Sequence, residues 1–159
     1  MELSALDKKL FHDVEHANFN AQVIESLLQQ GANPNAIHPS ARSVLTFAYT
    51  LGAGPDILDL LIRYGADINA SHVLIRAALE GDVETIQYLI QRGALINLPN
   101  IHGNTALHAA AVNSHPGAVE FLISHGANIY ARNRDGKRPL DVATHPETID
   151  YLTRAYHKK

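Results

Sequence analysis

The dipeptide Gly-Ala recurs at residues 31–32, 65–66, 93–94 and 126–127, and each copy follows the same apolar spacing. Ile24, Leu27 and Leu28 precede the first, then Leu58, Leu61 and Ile62, then Ile86, Leu89 and Ile90, then Val119, Leu122 and Ile123. The spacing i, i+3, i+4 is one stripe of an amphipathic helix. A glycine directly after such a stripe supplies the left-handed backbone that ends a helix. The glycines lie 34, 28 and 33 residues apart. Four matches in one phase leave a helical repeat as the only economical architecture, because a single amphipathic helix must bury its stripe against a neighbour.

The other half of each unit repeats as well. Thr105-Ala106-Leu107-His108 opens a helix that continues into Ala109-Ala110-Ala111. Thr105 is placed to cap it, and His108 occupies the third helical position, from which a side chain reaches back to the cap. Leu74 with Ala77 and Ala78, Leu45 with Ala48, and Pro139-Leu140 with Ala143 repeat the pattern. Pro139 suits a first helical position. Asn100-Ile101-His102-Gly103 and Asn133-Arg134-Asp135-Gly136 read as tight turns before two of these helices.

The run GNTALHAAAVNSHPGAVEFLISHGANIYARNRDGKRPLDVA resembles the ankyrin repeat, a turn plus two helices in about 33 residues. The resemblance extends over roughly residues 20–156. It implies an all-α fold, a solenoid of stacked helix-turn-helix units with short β-hairpin fingers. The chain divides into units at about 4–36, 37–70, 71–98, 99–131 and 132–157, expected to form a single domain over 1–159. Polar residues in the terminal units predict caps: Asp7, Lys8, Lys9, Asp13 and Glu15 at one end, and 154–159 at the other. An array capped in this way is expected to be complete.

The sequence departs from the pattern in places. Only Ser71 separates Ile68-Asn69-Ala70 from the segment of Leu74, so the finger of the third unit is expected to be truncated. Ser43-Val44-Leu45-Thr46 stands where the family has Thr-Pro-Leu-His. The finger His38-Pro39-Ser40-Ala41 lacks a glycine, and Ser114 replaces the usual loop glycine.

Composition narrows the chemistry. The chain has no cysteine, which removes disulfides, thiolate metal sites and a cysteine nucleophile. Its net charge of −3 argues against nucleic acid or an anionic membrane as the main partner. The opening MELSALDKKLFHDVEH lacks the order of a signal peptide, and no apolar run approaches a bilayer span. A soluble protein of the cytoplasm or another intracellular compartment is expected. No P-loop, Gly-x-Gly-x-x-Gly or nucleophile-elbow pattern occurs. His12-Asp13-Val14-Glu15-His16 has the spacing of inverted zinc metalloproteases. There His12 and His16 would hold Zn²⁺ and Glu15 would act as general base, a zinc hydrolase. The plainer reading is a polar outer face on a capping helix. The remaining histidines fall mostly at loop positions (His38, His102, His115, His125, His145) and are expected to be solvated. No enzyme activity, cofactor or metal is expected.

The resemblance implies binding through a concave face made of fingers and first helices. Carried over by position, that face contains Thr50, Leu51, Leu79, Glu80, Val112 and Asn113 on helices, with Ile101, His102, Asn104, Arg134 and Lys137 on fingers. Arg132, Arg134, Lys137 and Arg138 cluster on the last finger, either as an anion-binding surface or as a solvated turn. The expected function is a protein–protein interaction module, an adaptor or scaffold. An inhibitor or regulatory subunit of an enzyme is the alternative, including a secreted bacterial effector acting in a host cytosol. The expected partner is another protein, with neither nucleic acid nor membrane, and the chain is expected to be a monomer.

Overall fold

Helix start and stop signals in the chain translate directly into its elements. The computed structural model describes residues 3–16, 19–40, 42–70 and 72–157. Among them run α1 (Ala5–Glu15), α2 (Ala21–Gln29), α3 (Val44–Thr50), α4 (Pro55–Arg63), α5 (Val73–Glu80), α6 (Val83–Gln91), α7 (Ala106–Val112), α8 (Pro116–Ser124), α9 (Pro139–Val142) and α10 (Pro146–His157). Ser4, Asn20, Ser43 and Asp82 cap α1, α2, α3 and α6 with side-chain oxygens that accept backbone N–H bonds. Four helices, α4, α8, α9 and α10, begin at proline, whose missing N–H costs nothing at that position.

The second helices end alike. Gly31, Gly65, Gly93 and Gly126 have φ between 91° and 100°. The alanine after each glycine donates its N–H to the carbonyl five residues back, for example Ala127 to Leu122 at 2.9 Å. This closing bond satisfies a carbonyl that the helix leaves open. The stripes identified in the sequence face the core, with Ile24, Leu61, Ile86, Leu89, Val119 and Leu122 fully enclosed and Ile62, Ile90 and Ile123 half-buried at their edge.

The contacts divide the chain into two compact units, Met1–Val73 and Leu74–Lys159. The boundary falls where the sequence has its 28-residue interval. In the first unit α1 packs on α2 and α3, and α2 and α3 pack on α4. In the second, α7 packs on α8 and α9, and α8 on α6 and α10. Both units have all-α cores, and no strand occurs among the described residues. The fingers are closed by isolated bonds rather than a ladder. Ile37 and Ser43 form a single antiparallel bridge. The two later turns close through Asn100 N–H to the Asn104 carbonyl and Asn133 N–H to the Lys137 carbonyl, both 2.9 Å. Four or five residues are too few for repeated cross-strand pairs. Ala41 and Ser71, named in the expected fingers, lie outside the described residues, as do Lys158 and Lys159. On either side of Ser71 the chain runs from a turn at 68–70 to α5 at Val73, with His72 at φ 51°.

Some polar residues have other roles than their positions predicted. Asp7 is buried rather than part of a wet face. Its carboxylate accepts from Ser4 N–H at 3.0 Å and from Asn33 N–H at 2.7 Å. Burial raises its pKa, but hydrogen bonds from Asn33 and Ser4 together outweigh that and hold it below the ordinary carboxylate value. His38 is half-buried, stacked on Phe47 at 4.8 Å and tilted against Phe11 at 5.1 Å. α9 stops at Val142, one residue short of Ala143, which is extended.

Candidate functional site

In the second unit, the first helices and the fingers are welded together by side chains that the repeat places in register. His108 is the centre of this. It is 2% exposed and lies on α7. Its Nδ1 accepts the Thr105 backbone N–H at 3.2 Å, so the ring proton must sit on Nε2. Nε2–H then donates to the Lys137 carbonyl at 3.0 Å, in the next finger. Burial pushes the His108 pKa down, and the Lys137 carbonyl and the Asp141 charge oppose it only in part. The imidazole therefore serves as a neutral two-ended clip.

The two fingers are joined directly. Arg134 N–H donates to the His102 carbonyl at 3.0 Å. Gly103 has φ 77°, and a Cβ there would stand 2.8 Å from the Arg134 backbone nitrogen. Asn133 fixes the second finger by accepting on Oδ1 from Asp135 N–H at 3.1 Å and Lys137 N–H at 3.0 Å. Its Nδ2 donates to Asn104 Oδ1 at 2.9 Å. Asn100 Oδ1 accepts from His102 N–H at 2.9 Å and Asn104 N–H at 3.0 Å. Every amide here is oriented by the donors around it.

Between these fingers and helices α5, α7 and α9 lies a groove of about 230 Å³. Ile75, Leu79, Ala109, Val112 and Val142 give it apolar walls, while Asn100, Asn104, His108 and Asn133 give it a polar side. A larger cleft of about 740 Å³ lies between the end of α8, the Gly126–Tyr130 turn and α10. None of the expected binding residues lines that cleft, and its Arg154 is paired with Asp150.

The expected binding residues divide by what they already hold. Ile101 is 68% exposed and Val112 43%, and His102, Arg134 and Lys137 are exposed. The side chains of Arg134 and Lys137 make no hydrogen bond or ion pair with any described residue. Leu79, Asn104 and Val112 line the groove. Asn113 is exposed but spends its Nδ2 on the Leu79 carbonyl at 2.8 Å, tying α7 to α5. Glu80 pairs with Arg76 one turn away. Thr50 and Leu51 belong to the first unit. The Thr50 hydroxyl donates back to the Thr46 and Phe47 carbonyls, each at 2.9 Å, and Leu51 is 38% exposed. The basic cluster on the last finger also separates. Arg138 grips Asp141 through two 2.9 Å bonds and reaches Tyr156, which holds the Asp141 carboxyl far below its usual range. Arg132 donates to the Gly136 carbonyl at 2.6 Å.

Position alone did not reveal two further clips. Asn97 accepts on Oδ1 from Asn128 N–H at 2.7 Å and donates to the Gly126 carbonyl at 3.2 Å. In the first unit Asn35 does the same with Asp67 N–H and the Gly65 carbonyl, both 2.7 Å. The signal in the sequence is Gly-Ala-x-x-Asn, present at 31–35, 65–69 and 93–97 and replaced by Tyr130 after Gly126. His115 is likewise structural rather than solvated: its Nε2 meets the Leu79 carbonyl at 3.0 Å.

The His12 and His16 rings are exposed on α1 with centroids 4.0 Å apart, and His16 Nδ1 bonds to the His12 carbonyl at 2.8 Å. Among the described residues no group of three or more His, Asp or Glu is placed to hold a metal ion. No helix among them is long and apolar enough to cross a membrane.

Helix pairs with glycine-closed turns, stitched by side-chain clips of fixed register, define an all-α repeat protein. The chain belongs to the ankyrin-repeat family: the family model for ankyrin repeats in three copies matches residues 74–159. Among its relatives, Alpha-latrocrustotoxin-Lt1a of Latrodectus tredecimguttatus is 31% identical over 76% of this chain and 9% of its own length. SH3 and multiple ankyrin repeat domains protein 2 of Homo sapiens is 28% identical over 78% of this chain and 7% of its own. The Mitochondrial disaggregase of Bos taurus is 29% identical over 84% of this chain and 21% of its own. The chain thus spans a small part of the relatives it matches.

Proposed function

We propose that this protein is an adaptor or scaffold that binds another protein through the groove between its fingers and first helices in residues 74–159. The observation that carries this is the combination of exposed Ile101 and Val112 with unpaired Arg134 and Lys137 around an apolar-walled groove. An apolar centre with a polar, charged rim is the usual anatomy of an interface. The scaffold beneath is already clipped by His108, Asn113 and Asn133, so little ordering entropy is lost on binding. Ankyrin repeats generally serve as protein-interaction modules, and this reading assigns the protein no catalytic step. Leu51 and Thr50, in the first unit, are further candidate binding residues by their place in the repeat. On composition we place the protein in the cytoplasm or another intracellular compartment, as a monomer within one five-unit domain. A protein partner fits its net charge of −3 better than nucleic acid does.

Affinity capture from cells of the source, with an I101D/V112D variant as control, tests the proposal. Partners should be retained by the wild type and lost by the variant while its helical circular dichroism is unchanged. Equal retention by both proteins removes the groove from the mechanism.

A further inference from the structure

The hydrogen bonds of the finger network leave the groove with more free side-chain donors than acceptors: the Nδ2 groups of Asn100 and Asn104 against one open site on Asn104 Oδ1. Asn100 Oδ1 is filled by the N–H groups of His102 and Asn104. Asn133 Oδ1 is filled by Asp135 and Lys137 N–H, which makes its Nδ2 the group that donates to Asn104 Oδ1. Neither Asn100 nor Asn104 spends its own Nδ2 hydrogens on any described residue, and both line the groove. The net charge at this edge is positive. Residues 132–141 carry four cations and two acids in a chain whose net charge is −3, so the rest of the sequence is −5. Asp141 is taken by Arg138 and also lies in the field of Arg132, which leaves Asp135 as the other acid of the segment that carries Arg134 and Lys137. The Lys137 backbone is bonded to His108 and the Arg134 backbone to His102, which fixes the backbone of these two residues next to groove-lining His108 and Asn133.

We infer that the groove takes an acidic peptide segment of the partner, an extended stretch with one apolar side chain flanked by Asp or Glu. This rests on the binding groove proposed above. The apolar side chain packs between Leu79 and Val112. Peptide carbonyls or carboxylates accept from the Asn100 and Asn104 amides, and the flanking acids face Arg134 and Lys137. A donor-rich polar wall beside Arg134 and Lys137 disfavours a basic segment, which would bring more donors and like charge.

The test is selection of displayed random peptides on the intact 159-residue protein, followed by affinities of the selected peptides measured by fluorescence anisotropy. Enrichment of Asp and Glu around an apolar residue is expected. An R134E/K137E variant should bind the selected peptides at least about tenfold more weakly, the weakening falling as salt rises. V112D should abolish binding. Selected peptides without acidic enrichment, or undiminished binding by R134E/K137E, would overturn the acidic partner while V112D loss kept the groove. Recovery of no peptides, or equal binding by V112D, would overturn both.

Discussion

At the scale of single residues, His108 turns a protonation equilibrium into a stability term. Its folded pKa lies below the ordinary 6.5 because burial disfavours the cation. On acidification the unfolded chain therefore takes up the proton first. The contribution of His108 is full above about pH 6.5 and is lost as pH falls from there toward the folded value. Replacing it by Gln should cost about 1–2 kcal/mol at pH 7.5, since Thr105 keeps an acceptor while the Lys137 carbonyl loses its donor. Urea melts at pH 7.5, 6.5 and 5.5 should show the gap between wild type and H108Q narrowing. A constant gap would mean that folding leaves the His108 pKa at its unfolded value. Backbone strain is the other residue-scale effect. Ser114 sits at φ 60°, where the family pattern places glycine. Ser114→Gly should stabilise by up to about 1 kcal/mol, less whatever its hydroxyl gains from Thr144. Glycine-to-alanine changes should differ in the opposite direction. At Gly126 a Cβ meets nothing within 4 Å, so G126A costs only backbone strain, about 1 kcal/mol. At Gly103 it meets the Arg134 backbone, so G103A should cost clearly more. Thermal melts giving G126A the larger loss would contradict the finger-to-finger contact.

At the scale of elements, register is held by short polar side chains rather than by the helices themselves. Asn35 and Asn97 each span from one turn to the next glycine-closed helix end, one donor and one acceptor apiece. Asp7, from α1, supplies the corresponding acceptor to Asn33 N–H, so the first helix pair gains its tie without a preceding Asn. After Gly126 the clip position is Tyr130, which packs its ring edge-on against Tyr156 at 4.5 Å. Asn97→Ala should cost about 1 kcal/mol, because both partner groups lie at exposed positions and water replaces part of what is lost. Hydrogen exchange should show faster loss at Asn128 N–H in N97A, with the α7 core unchanged. Unchanged exchange at Asn128 would argue that the clip adds nothing.

At the scale of the molecule, residues 74–159 hold three helix pairs, α5–α6, α7–α8 and α9–α10, and are also the stretch matched by three ankyrin copies. Repeat arrays need about three units to bury a continuous core. This stretch expressed alone should give a helical circular dichroism spectrum and a cooperative melt. Residues 1–73, with two pairs, should not. A featureless spectrum from 74–159 would show that its core is insufficient by itself. The proposed binding function makes the same division useful, because all of the groove residues lie within 74–159.

The number of helices, their amphipathic stripes and their glycine ends were legible in the sequence, since each depends on neighbours within a turn or two of the chain. The ankyrin resemblance followed from them, and so did the exposed positions Ile101, Val112, Arg134 and Lys137. Tertiary structure decided which polar groups remain available. Asn113, Glu80 and Arg138 look free in sequence and are engaged in the fold, while Asn100 and Asn104 each keep a spare donor. The burial of Asp7 and the stacking of His38 belong to the same class. Hydrogen bonds between residues about 30 apart depend on where two turns meet in space, and local spacing carries no record of that.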